Sequence, residues 1–256
     1  MKKLIRNILR GLGLYSAALD VENKVITVFK KAERKDFYAD FIKKGDVVFD
    51  VGANKGNRTV IFLELGAKVV AVEPQKECYE HLTKRFGDTI DLIKLGLGEK
   101  ESTATMYVSG STLISSFSKD HVAVMKEDRF KGADWGDTIE IQMTTLDVLI
   151  EKYGTPAFCK IDVEGYEYDV LKGLSKPLKA LSLEYIVPEN TQVLVDCLTH
   201  LAKLGAIECN FSYGESMKYN LPQWKSGEDM IAYIQTKEFT DTSYGDVYIR
   251  FVPYHH

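Results

Sequence analysis

The chain has 256 residues, with 33 lysines and arginines against 37 aspartates and glutamates, a net charge of −4 and a hydrophobic share of 45%. That length suits one α/β domain with additions and a sizeable core, and the acidic balance supplies no basic field for nucleic acid. Its four cysteines, Cys78, Cys159, Cys197 and Cys209, have no C-x-x-C spacing, so buried thiols and a reducing cytoplasmic setting are expected.

Residues 1–12 read as an amphipathic basic helix, with Leu4, Ile5, Ile8, Leu9 and Leu12 on one face and Lys2, Lys3, Arg6 and Arg10 on the rest. The basic residues interrupt it too often for a signal-peptide core. The expectation is packing against the domain or a second copy of the chain, with weak contact to an anionic membrane surface as the alternative. With a second helix at 30–42, residues 1–44 form a helical extension ahead of a domain at 45–256. Strands are predicted at 46–50, 69–73, 90–95, 158–162, 181–185, 206–212 and 246–252. Helices at 57–65, 75–86, 164–174 and 190–204 alternate with them, which implies a doubly wound, mostly parallel, seven-stranded Rossmann-like α/β sheet. The last strand alternates polar and apolar residues and is expected as an antiparallel edge. His255 and His256 look like a tag remnant and are set aside.

The connection from 95 to 158 is far longer than a crossover needs, so it carries structure of its own. Thr103–Val108 and Ile139–Met143 are expected to pair, and 145–153 to form the crossover helix, stopped by Gly154 and Pro156. The insertion at about 99–143, ahead of the fourth core strand, is the expected lid, with Ser115, Ser116 and His121 as acceptor-side candidates.

Chemistry concentrates at strand ends. Val47-Val48-Phe49 runs into Asp50, then into Gly52, Ala53, Asn54, Gly56 and Asn57 at a helix start. Glycines there permit a tight turn and close ligand approach. The middle glycine of a dinucleotide fingerprint is Asn54, and no G-x-x-x-x-G-K-[ST] occurs, which disfavours phosphate ligands. Asp50 repels phosphate and attracts an ammonium or sulfonium group, and S-adenosylmethionine carries both. Glu73 ends the next strand at ribose-binding spacing, and Pro74 opens the following helix. The run Lys160-Ile161-Asp162-Val163-Glu164-Gly165-Tyr166-Glu167 ends a further strand on the same rim. There Asp162, Glu164 and Glu184 are candidates to take a hydroxyl proton during methyl transfer, with capping of the next helix as the bland role for Asp162. Three carboxylates with no matched histidine are a weak metal signal, and no metal is expected.

The phrases from Val48 to Gly56, Thr145 to Leu149 and Lys160 to Glu167, closing with Val170-Leu171-Lys172-Gly173, together resemble the FkbM-type methyltransferase family over roughly residues 44–187. The resemblance implies a class I S-adenosylmethionine-dependent fold and O-methylation of a hydroxyl on a sugar, glycan or polyketide-type acceptor. It implies cofactor contacts along Asp50 to Gly56, at Glu73 on the ribose, and at the Gly96-Leu97-Gly98 turn near the adenine, so that Gly98 is a cofactor candidate. A non-catalytic S-adenosylmethionine-binding protein and, more remotely, an NAD-type oxidoreductase are the competing readings.

Overall fold

The computed structural model describes residues 31–108 and 137–252. The expected helix at 1–12, the acceptor candidates Ser115, Ser116 and His121, and the terminal histidines lie outside those residues.

A helix at 31–38, α1, leads into β1, Val47–Val51, whose β-branched run is buried on both faces apart from its first residue. Helix α2, Thr59–Glu64, follows, then β2, Lys68–Val72, α3, Lys76–Phe86, and the short β3, Asp91–Ile93. After β4, Gly96–Leu97, come β5, Ser102–Val108, and β6, Asp137–Thr144. Helix α4, Leu146–Tyr153, is capped by Thr145, whose hydroxyl accepts from the Val148 N–H. The remaining order is β7, Phe158–Ile161, α5, Glu167–Lys172, β8, Ala180–Ile186, α6, Thr191–Leu204, β9, Ile207–Tyr213, β10, Lys225–Ser226, α7, Gly227–Ile234, α8, Lys237–Thr240, and β11, Tyr244–Phe251.

The main sheet runs β10-β9-β11-β8-β7-β1-β2-β3, with β3, β2, β1, β7 and β8 parallel and β11 antiparallel to both its neighbours. The described residues thus give eight strands where seven were expected, the addition being the two-residue β10 at the edge. The last strand is antiparallel as expected but not an edge: β11 is inserted between β8 and β9. Its alternation reflects two covered faces of different chemistry. Val247 and Ile249 pack into the core beneath α4 to α8, while Asp246 and Tyr248 face α1 and α2. The expected pairing within the insertion is present, as β5 and β6 run antiparallel and β4 adds in parallel.

Helix α1 belongs to the core on that second face. Phe37, Tyr38, Phe41 and Ile42 are buried against Phe62, Phe158 and Tyr248; Tyr38 meets Phe62 edge-on at a centroid separation of 5.0 Å, Phe41 is tilted on Phe158 at 4.9 Å, and Phe41 stacks on Tyr248 at 5.9 Å. The packed unit therefore begins ahead of residue 45. Among the described residues no helix is long and apolar enough to cross a membrane, and all four cysteines are free and buried.

Candidate active site

Register places a polar row across the α1 face of the sheet. Asp50 lies opposite Lys160, Lys160 opposite Ser182, Ser182 opposite Tyr248, and Tyr248 opposite Asn210. One step nearer the carboxyl ends of the parallel strands, Glu184 pairs with Asp246 and Asp246 with Ser212. The crevice opens where this row reaches the β1, β2, β7 and β8 ends, as the carboxyl-end rule requires. Its cavity, about 280 Å³, is lined by the cradle from Gly52 to Asn57 except Gly56, by Glu73 and Pro74, and by the acids Asp162, Glu164 and Glu184.

Asp50 is a strand residue, 2% exposed, and its carboxylate accepts from the Thr59 hydroxyl at 2.5 Å, so the α2 helix start fixes it. Burial raises its pKa. Glu73 lies just past β2, where one carboxylate oxygen accepts the Asn54 N–H at 2.8 Å and the other the Gln75 N–H at 2.9 Å. Burial lifts Glu73 to about 7 against those hydrogen bonds, which stitch the first turn to the second, and each carboxylate oxygen keeps a further lone pair. Asn54 takes the left-handed conformation, φ 50°, which its short polar side chain tolerates.

The glycines take the tight turn expected of them, and the space left by their missing Cβ atoms also admits neighbouring elements. At Gly52, φ 78°, a Cβ would collide with the carbonyl of Asp162, and at Gly56, φ 76°, with the Phe86 ring. Gly52 lets the β7 end approach β1, and Gly56 lets α3 close on the loop. Gly56 is absent from the crevice lining, and so is Gly98, which packs with its carbonyl against Gly173. From that turn it is Gly96 and Leu97 that reach a narrow apolar cleft shared with Gly52, Pro74 and Val163.

At the β7 end, Lys160 is 3% exposed and its ammonium lies 2.6 Å from Asp162 and 3.6 Å from Asp246. Burial opposes charge on Asp162, but the Lys160 ammonium and a hydrogen bond from Glu184 outweigh it and hold Asp162 below the usual carboxylate range. Glu164 and Glu184 go the other way. Burial and then the negative Asp162 push both well up, so the three acids, with oxygens within 4.8 Å of one another, differ in proton affinity, and Asp162 holds a proton least tightly. Within the trio, Asp162 and Glu184 are hydrogen bonded to one another. Glu164 sits at φ 54°, a left-handed conformation uncommon for a residue of its size.

Asp162 is not the helix cap considered from sequence. Helix α5 starts only at 167, and Glu167, at its first position, reaches back to accept the Val163 and Gly165 N–H groups at 3.1 and 3.2 Å. Sequence reading missed Lys160, Arg58, Met106 and Glu215 in the crevice wall. Lys160 carried a usable signal, a charge inside an otherwise apolar strand. Arg58, Met106 and Glu215 carried none.

The strand order and cradle together define the class I methyltransferase architecture. A family model of the methyltransferase FkbM domain matches residues 50–234, and the chain belongs to that family. Its cofactor is S-adenosylmethionine, and the cradle, lined by the carboxylates Asp50 and Glu73, fits a cationic nucleoside. The hexuronic acid methyltransferase AglP of Haloferax volcanii is 29% identical over 152 residues, covering 57% of this chain and 56% of that protein. The chain thus spans about half the length of that curated relative. Among solved structures, a TehB-like SAM-dependent methyltransferase from Corynebacterium glutamicum has a TM-score of 0.42 at 9% identity, covering 92% of this chain and 100% of that one. A precorrin-6y C5,15-methyltransferase from Geobacter metallireducens gives 0.42 at 9% identity, with 87% of each chain covered.

Proposed function

We propose that the chain transfers a methyl group from S-adenosylmethionine to a hydroxyl oxygen of a sugar or glycan acceptor, with Asp162, Glu164 and Glu184 handling the hydroxyl proton. The observation that carries the reading is the grouping of three carboxylates, Asp162, Glu164 and Glu184, with oxygens within 4.8 Å of one another, on the same rim as the cofactor cradle. When bound, the cofactor supplies an electrophilic methyl group. The chain's residues then align the acceptor oxygen and remove its proton. Asp162, anchored by Lys160, accepts the acceptor hydroxyl's hydrogen bond, and Glu164, of higher proton affinity, takes the proton in its ionised form. The sugar acceptor is supported by the similarity to AglP, a hexuronic acid methyltransferase.

The test is methyl transfer, followed by mass spectrometry, onto a panel of hexoses, hexuronic acids and their oligosaccharides. Asp162→Asn and Glu164→Gln are expected to lower turnover by about 100-fold or more while S-adenosylhomocysteine still binds. Full turnover in both variants would overturn the catalytic assignment. Binding of the cofactor with no acceptor methylated would favour the non-catalytic reading.

A further inference from the structure

Two arginines from different elements close on one carboxylate at the crevice wall. Arg34 of α1 and Arg58, just ahead of α2, each donate through Nη2 to the same Oε2 of Glu215, at 2.8 and 2.7 Å. Their settings differ. The Arg58 side chain is 9% exposed and its buried Nε has no hydrogen-bond partner, whereas Glu215 is 50% exposed at the start of the loop joining β9 to β10. Arg58 and Glu215 both line the crevice that holds the cradle.

A guanidinium normally takes a carboxylate through two N–H groups, and leaving one buried donor unpaired is costly. Here the fork is half used, by a side chain already half in water. Glu215 can swing out without uncovering a core, and a ligand carboxylate taking its place would leave the charge of the crevice unchanged. That one-for-one exchange matters, because Asp162, held ionised, lines the same space and would repel any additional anion.

We propose that Arg34 and Arg58 form a carboxylate-binding site of the crevice, filled by Glu215 until the carboxylate of a ligand displaces it. The inference rests on the methyltransferase reading and narrows its ligand chemistry. The displacing group is either the carboxylate of an acidic sugar acceptor or the amino-acid carboxylate of the cofactor.

Calorimetry on the full chain separates the two sources. The probes are a methyl hexuronoside against the neutral methyl hexoside, and S-adenosylhomocysteine against 5′-methylthioadenosine, which lacks the amino-acid part. An internal competitor lowers apparent affinity by the fraction of open site, so Glu215→Ala should tighten the carboxylate probe by about five-fold or more and leave its neutral counterpart unchanged. Adding Arg34→Gln should abolish the gain. Tightening of the hexuronoside assigns the site to the acceptor, and tightening of S-adenosylhomocysteine assigns it to the cofactor. Unchanged or weakened binding of both, or equal change in charged and neutral probes, overturns the proposal and marks Glu215 as a loop anchor only. Should Glu215→Ala not fold, the isosteric Glu215→Gln carries the same readout. Failure of S-adenosylhomocysteine to bind the unmodified chain would instead sink the methyltransferase reading.

Discussion

A lysine buried in the central strand β7 is expensive, because its ammonium leaves water for a low-dielectric interior. Two carboxylates offset that cost, Asp162 from the end of its own strand and Asp246 from β11 two strands away, and they hold the Lys160 pKa well up despite burial. The same charge acts on the acids beside it, favouring their ionised forms. Replacing it by a neutral isostere removes that help, so the pKa of each neighbouring acid rises. A base that must be ionised then works only at higher pH. Lys160→Met is therefore expected to move the acid limb of the rate profile upward by about one pH unit or more, and Lys160→Arg, which keeps the charge, to leave it near its original place. Because a broken buried ion pair costs roughly 3–5 kcal/mol, the variant's melting temperature is measured alongside. An acid limb unmoved in a folded Lys160→Met would show that Lys160 serves packing alone.

At the scale of elements, the site depends on how closely two strand ends approach. Gly52 follows β1 in a left-handed conformation with the Asp162 carbonyl where a Cβ would stand, and the backbone of Asp162 donates to the Val51 carbonyl at 3.0 Å. Gly52→Ala must push β7 away from β1 or distort the turn, at a cost of about 3 kcal/mol or more. Thermal unfolding reads that loss, and a stable variant with unaltered S-adenosylhomocysteine binding would show that the approach is not essential. The glycine was visible in the sequence; its reason was not, because its contact is with a backbone 110 residues further along the chain. The same limit separates what was legible from what was not. Asp50, Glu73, Asp162 and Glu164 were found because each ends an apolar run, and position on the rim follows from that pattern alone. The place of β11 was missed because its alternation, Asp246 and Tyr248 against Val247 and Ile249, reads as half-solvated until α1 is seen to cover the polar side. Arg58 and Glu215 gain meaning only from each other, and 157 residues separate them.

Across the whole molecule, the buried acids set how stability varies with pH. Burial raises Asp50, Glu73, Glu164, Glu167, Glu184 and Asp246, with Glu73 and Glu167 each reaching about 7 from an ordinary 4.5. Among the described residues, only Asp162 and Glu215 of the shifted acids are lowered, chiefly by Lys160 and Arg58 acting against burial. A carboxyl whose folded pKa is raised binds its proton more tightly in the folded than in the unfolded chain. Its contribution is full below the unfolded value near 4.5 and is lost as pH rises through about 7. The lowered pair works in the opposite sense, contributing above the unfolded values and failing only in stronger acid. The ligand-free chain is therefore expected to be most stable near pH 5 and to lose stability toward pH 8, with Glu73 and Glu167 each accounting for up to about 3 kcal/mol. Denaturant unfolding at pH 5, 6, 7 and 8 measures this, and a stability that rises over that range would contradict it. We propose that Glu73 holds the ribose; hydroxyls of S-adenosylhomocysteine would then donate to its ionised form and draw its pKa down, so stabilisation by the ligand should grow as the pH rises. Equal ligand stabilisation at pH 5 and pH 8, in a chain whose own stability falls as described, would remove Glu73 from the cofactor site while leaving its role as the stitch between the two turns intact.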